Sequence, residues 1–254
     1  MNTPKVMTPL VVEWTAPARV KALQTTRQGG FSQGAWKGAN LASHVGDDPV
    51  AVEQNRQALL RWIPKPPLWL NQTHSARIFD ADQPQNTQQN PFQAPPEADG
   101  AVTSLGSVLA IMTADCLPVL AYSRETERLG AFHAGWRGLA GAILAGGVKA
   151  LGGAPENQDW WIGPGIGPEA YEVGLGVKDA FLQYLPDHEA DFFRTGEQTW
   201  QLNLAQAARR QLSSVGVLRI TIAPWTTSQH QDLFWSYRKQ NPCGRTASLL
   251  WREP

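Results

Sequence analysis

The sequence predicts an α+β or mixed-sheet α/β protein with a strand-rich core. Apolar segments of strand length come in runs, and the helical segments between them are of uneven length. No internal repeat divides the chain. A doubly wound parallel sheet would require regular βαβ alternation, which is missing. At 254 residues the chain can bury a substantial core. Residues 1–254 read as a single domain, because strands of one sheet flank the longest polar loop.

In order, Val20–Thr26 reads as a first strand running into the polar, glycine-rich segment RQGGFSQGAWKGANLASHVGDD. Long structured loops of this kind often carry function. Asp47-Asp48-Pro49 opens a helix over Pro49–Trp62, with acids ahead of a proline at its first turn. Leu68–Leu70 is a short strand before NQTHSARIF, and DADQPQNTQQNPFQAPPEA is a polar Pro/Gln-rich loop. Asp99–Ser104 and Val108–Thr113 suit a hairpin around Leu105-Gly106. Leu117–Tyr122 and Leu129–His133 suit a second hairpin around RETER. A glycine-rich helix over Leu139–Leu151 can lie close on a sheet despite poor intrinsic propensity. Trp160–Ile162 and Val217–Ile222 read as strands, Val177–Tyr184 and Leu204–Ser214 as helices, and the C-terminal residues as a final strand.

Composition narrows the function. Lys+Arg and Asp+Glu are 22 each, so the basic excess expected of a nucleic-acid binder is absent. No apolar run approaches the roughly 18 residues of a membrane span, and the N-terminus has no apolar core of a signal peptide. Cys116 and Cys243 do not make a disulfide framework, which points to a reducing cytoplasm. The 11 tryptophans are expected to serve packing.

Ile111–Gly138 is the expected working centre. Two apolar runs each deliver a ligand-type residue at an end, Cys116 and His133. A thiol and an imidazole on neighbouring strands can hold zinc or pair as nucleophile and base. Phosphate-loop and compact zinc motifs are absent, and the prolines of GPGIGP remove the amides a phosphate cradle needs. A catalytic metal can still take three ligands from distant strands. The available donors are His44, His74, His133, His188, His230, Cys116 and Cys243. His188 in PDHEAD and His230 in TTSQHQD read as surface residues, whereas His74, Cys116 and His133 end apolar strands beside polar loops. For each of these three a buried structural role competes with a metal or catalytic one.

The segments TTRQGGFS, NLASHVGDDPVAVEQNR, NQTHSARI, EADGAVT, TADCLPVL, AFHAGWRGLAGAI, IGPGIGPEAYEVG and DLFWSYRKQNPCGRTASLLW together resemble the bacterial laccase-domain family, also called the YfiH or peptidoglycan-editing-factor family. The resemblance spans about Lys21 to Trp251. It implies an α+β fold, a mixed β-sheet sandwich flanked by helices, similar to the catalytic domain of cytotoxic necrotizing factor. It implies a zinc ion held by His74, Cys116 and His133 with a position open for substrate, copper being the other metal credited to the family. Two departures are peripheral to these ligands: Thr226 or Thr227 stands where the family often has a cysteine, and Arg238-Lys239 replaces an arginine pair.

The functions credited to this family diverge. One is a purine nucleoside enzyme that phosphorolyses adenosine, inosine and methylthioadenosine and deaminates adenosine. Others are an amidohydrolase editing peptidoglycan precursors, with Cys116 as nucleophile and His133 as base, and a copper polyphenol oxidase. A metal-binding protein without turnover is the non-enzymatic alternative. A multicopper oxidase cycle needs more histidines than the five present, so the expectation is the zinc-dependent purine nucleoside enzyme. Phosphorolysis needs an anion clamp. Arg56 is the family-matched candidate, with Arg27 and Arg137 behind it. Asn40 and Gln72 could hydrogen-bond a sugar or base edge. Asp99 and Asp115 could orient a metal-bound histidine or move a proton, Asp115 reading rather as a structural turn acid. The expected partners are small molecules, a nucleoside with phosphate or a muropeptide precursor, with neither nucleic acid nor membrane.

Overall fold

A six-stranded and a four-stranded β-sheet pack face to face, with helices on their outer faces, in a computed structural model that describes residues 6–83 and 94–253. Part of the Pro/Gln-rich loop, residues 84–93, lies outside the described residues. The strands are β1 (Leu10–Val11), β2 (Val20–Gln24), β3 (Ile78–Asp80), β4 (Gly100–Thr103), β5 (Leu109–Thr113), β6 (Leu117–Ser123), β7 (Leu129–Ala134), β8 (Gln158–Ile162), β9 (Glu172–Gly174), β10 (Phe192–Arg194), β11 (Thr199–Leu202), β12 (Arg219–Ile222) and β13 (Thr246–Arg252). The α-helices are α1 (Pro49–Leu59), α2 (Trp136–Ala140), α3 (Ile143–Leu151), α4 (Leu175–Tyr184) and α5 (Leu204–Ser214).

The larger sheet runs β12-β8-β6-β7-β4-β3 and the smaller β1-β2-β13-β5. Strand β6 shows how the layers form. Successive side chains of a strand point to opposite faces. Val119 and Ala121 therefore pack with Ile143, Leu144 and Ala208 under the helices, while Leu120 and Tyr122 pack with Ile111 and Leu250 of the other sheet. Both faces are covered, so every residue of β6 is buried. Leu59 of α1 closes the outer face of the smaller sheet against Leu23, Met112 and Leu249. The helix starts as expected, with Asp48 accepting the Val50 N–H at 3.0 Å ahead of Pro49.

The hairpin expected around RETER forms: β6 and β7 are antiparallel, with Pro118 opposite His133. The one expected around Leu105-Gly106 does not. Strand β4 pairs with β7 in the larger sheet, whereas β5 pairs with β13 in the smaller one. The turn steps between layers, held by Asp82, whose carboxylate accepts from Thr103 Oγ1 and from the N–H and hydroxyl of Ser104 at 2.6–2.7 Å. The helix expected over Leu139–Leu151 breaks at Ala142, which sits at φ 64°, giving α2 and α3. Gly147 lets α3 settle on Phe132, since a Cβ there would lie 2.7 Å from the ring. Leu68–Leu70 contributes a single bridge, Leu68 to Leu109. A small β10-β11-β9 sheet was not expected from the sequence.

His188 is a correction to the surface reading. It is fully buried, its Nδ1 2.7 Å from Asp191 and its ring edge-on to Phe181. Asp191 is in turn gripped by both Nε and Nη2 of Arg210. A tight turn puts the acid three residues after the histidine, so His188 and Asp191 turn inward together while the other residues of PDHEAD stay exposed.

Candidate metal centre

Two loops and one strand deliver the donors to one end of the β6–β7 hairpin. Cys116 immediately precedes β6, and His133 lies in β7 opposite Pro118. The hairpin register alone therefore brings thiol and imidazole together. His74 arrives from the loop before β3 in a left-handed conformation, φ 60°, uncommon for a residue with a side chain. Asp99, one residue before β4, holds that loop: its carboxylate accepts the N–H groups of His74 at 2.9 Å and Ser75 at 2.6 Å, and the Ser75 hydroxyl at 2.7 Å. Gly135 completes the packing, because a Cβ there would lie 2.8 Å from Cys116 Sγ and 3.4 Å from the His74 ring.

The donor atoms of His74, Cys116 and His133 all lie within 4.8 Å of one another, and the two imidazoles meet edge-on at 4.8 Å. Metal–ligand bonds of about 2.0–2.3 Å place tetrahedral donors roughly 3.3–3.7 Å apart, so side-chain adjustments of about 1 Å suffice to close this set on an ion. Two imidazoles and a thiolate are donors suited to zinc or copper. The residues present fit a metal ion. Among the described residues this is the one group of three such side chains that does.

Electrostatics reinforce the arrangement. Burial by itself pushes the Cys116 thiol up, but the His133 and His74 imidazoles outweigh it and bring the thiol down to about 6. Burial pushes His133 down, and the Cys116 thiolate and Asp99 carboxylate outweigh it, raising the imidazole to about 9. Asp99 is fully buried, yet hydrogen bonds from His133 and Ser75 hold it well below the usual carboxylate range. Being ionised, Asp99 accepts from His133 Nδ1 at 2.8 Å, which leaves Nε2 to the thiol side.

The donors open into a cavity of about 440 Å³ whose wall includes His44, Gln72, Asp115, Tyr171, Tyr237, Arg238 and Arg245, a size typical of small-molecule sites. Of the other residues expected at the site, Gln72 lines the cavity but spends its amide on both main-chain groups of Met112. Asn40 is fully buried and ties Ala42, Asp47 and Arg245 N together. It is a loop brace, with no surface to offer a sugar. Arg56 stands outside the wall, its Nε on Leu41 O at 2.9 Å and its guanidinium over Trp69. Arg27 lies over Trp235 and Arg137 over Trp136, both also outside the wall. Asp115, at φ 87°, is indeed a turn acid: it accepts from Thr227 Oγ1 at 2.6 Å and Arg238 N at 2.7 Å. Thr227 thus serves the wall through Asp115. Tyr171, Tyr237 and Arg245 were missed as site residues. Their segments, GPEAYEVG, FWSYRK and NPCGRT, carried resemblance but no ligand-type signal.

Comparison with known proteins shows the family and the fold. Residues 21–253 match the family described as multi-copper polyphenol oxidoreductase laccase. Over 95% of this chain, it is 38% identical to the Pseudomonas aeruginosa purine nucleoside phosphorylase PA4543, covering 97% of that protein. Escherichia coli purine nucleoside phosphorylase YfiH is 37% identical over 95% of this chain and 98% of its own length. The crystal structure of Neisseria meningitidis NMB0706 superposes with a TM-score of 0.91 at 39% identity, covering 98% of this chain and all of that one. YlmD from Geobacillus stearothermophilus does so at 0.86 and 32%, covering 99% of this chain and 100% of that one. The chain belongs to this laccase-like family, the one that includes YfiH.

Proposed function

We propose that the protein is a zinc-dependent enzyme of purine nucleosides, catalysing phosphorolysis of adenosine, inosine and methylthioadenosine and deamination of adenosine. The carrying observation is the convergence of His74, Cys116 and His133 in a cavity walled by tyrosines and arginines. Relatives named purine nucleoside phosphorylase, alike over nearly the whole chain, support the same reading.

Zinc held by these three donors would supply Lewis-acid activation of water or of a substrate oxygen. The remaining work falls to the protein. Asp99 fixes the His133 tautomer and positions the His74 loop, so it acts as a positioning residue. The tyrosines offer flat apolar surface to a purine, and the arginines offset the charge of phosphate. The testing experiment is an assay of free-base release from adenosine and inosine with and without phosphate. Release that requires phosphate supports the proposal, and its absence at high enzyme concentration counts against it.

A second reading has one observation in its favour. Cys116 lowered to about 6, beside His133 raised to about 9 and backed by Asp99, is the arrangement of a Cys–His–Asp hydrolase. An amidohydrolase acting on peptidoglycan precursors would use it so. Trapping of Cys116 by a substrate-like electrophile in metal-free protein would favour that activity. Copper polyphenol oxidation receives less support: His44, His188 and His230 all lie outside the three-residue cluster, so the donors suit a single metal ion.

A further inference from the structure

Two guanidinium groups in the cavity wall lack a carboxylate partner. Neither Arg238 nor Arg245 takes part in an ion pair among the described residues. The two differ in how they are held. Arg238 lies over Tyr171, and its own N–H is bound by the Asp115 carboxylate. An anion there would meet Asp115, the one carboxylate in the wall. Arg245 lies over Tyr237 and is anchored through Nη1 alone, to the carbonyls of Cys243 at 2.9 Å and Gly244 at 3.0 Å. Its Nε and Nη2 make no hydrogen bond among the described residues. Those two nitrogens form the side-on fork that matches two oxygens of a phosphate. His44 lies in the same wall, and its imidazole is held below its ordinary range by burial and then by Arg245 and Arg56. Cationic charge is thus concentrated around His44.

We propose that the Nε/Nη2 edge of Arg245, with His44 beside it, is the subsite for free inorganic phosphate. The inference rests on the phosphorolytic reading above and gives it an anion site. In the step served, a phosphate oxygen bonds to C1′ of the ribose while the C1′–N9 bond breaks. The electron pair of that bond goes to the purine, which takes up the proton released by hydrogen phosphate. The products are free base and ribose 1-phosphate. Arg245 holds the attacking phosphate and undergoes no covalent change.

The test is calorimetric titration of inorganic phosphate into the zinc-loaded full chain, with zinc content and thermal midpoint recorded for each variant. Arg245→Met is expected to weaken phosphate binding at least tenfold. Arg245→Lys, which keeps the charge but not the fork, should lose less, and His44→Ala about threefold. If Arg245→Met does not fold, Arg245→Lys carries the test through a raised KM for phosphate at unchanged KM for nucleoside. Wild-type affinity in both Arg245 variants, or no phosphate binding by the wild type, overturns the proposal. So does a loss confined to adenosine 5′-monophosphate, which would place the anion on the substrate. Phosphate binding that depends on Arg245 without any nucleoside turnover would leave the subsite standing and remove the phosphorolytic reading. Turnover with an unchanged phosphate KM in Arg245→Met would do the reverse.

Discussion

The Asp99 carboxylate accepts His133 Nδ1 at 2.8 Å and the main-chain N–H of His74 at 2.9 Å. One buried acid therefore governs two proposed metal ligands, the ring orientation of one and the loop position of the other. Asp99→Asn keeps the shape but loses the charge and one acceptor oxygen. Zinc affinity is expected to fall about 10–100-fold, read by competition with a chelator while circular dichroism reports the fold. Unchanged affinity would remove Asp99 from the site.

Gly135 tests whether the donors must close together. Its backbone is ordinary, φ −77°, so Gly135→Ala introduces no backbone strain. The new methyl instead presses on Cys116 Sγ and His74. Zinc content should drop, with a thermal midpoint little changed. Gly147→Ala is the contrasting variant. Its Cβ meets Phe132 in the core, so it should cost about 1–3 kcal/mol of stability with zinc retained. The same outcome for both variants would contradict this division.

The Asp82 turn predicts a pH dependence of stability. Burial raises its carboxyl, but the hydroxyls of Ser104 and Thr103 and the N–H groups of Ser104 and Leu105 more than offset this and lower it. A carboxyl lowered in the folded state contributes stability that is present above its unfolded value, about 3.9. That contribution is lost as pH falls through the lower folded value. Asp82→Asn should therefore destabilise the protein by about 1–3 kcal/mol at neutral pH. Its deficit relative to wild type should shrink on acidification, as followed by urea unfolding between pH 7 and 3. A deficit independent of pH would mean the turn does not depend on the charge.

The elements most legible in the sequence were those whose partners lie close in the chain. The β6–β7 hairpin, with Cys116 and His133 at its end, follows from two apolar runs and a short polar turn. The hairpin expected around Leu105-Gly106 failed for a physical reason. Strands β4 and β5 are buried on both faces, so neither has the polar alternation that would assign it to a layer. Buried His188 was hidden because its hydration is replaced by Asp191, an acid of the kind usually found facing water. Among the proposed ligands, His74 was legible as a candidate donor beside a polar loop, and the resemblance made it the third ligand; its left-handed backbone and its tie to Asp99 left no local mark. Arg245 and Tyr171 were illegible because their segments join the cavity only through long-range packing. Arg56 was picked out by family resemblance, and in the structure it bonds Leu41 O and lies over Trp69 just outside the cavity wall.

The most direct test of the central claim sets wild type beside Cys116→Ala. Both are purified untagged, analysed for zinc, and assayed for free-base release from adenosine and inosine with and without phosphate. The expected result is about one zinc per wild-type chain and base release that requires phosphate, with both lost in Cys116→Ala. Full phosphate-dependent turnover by a zinc-free Cys116→Ala protein would contradict the account.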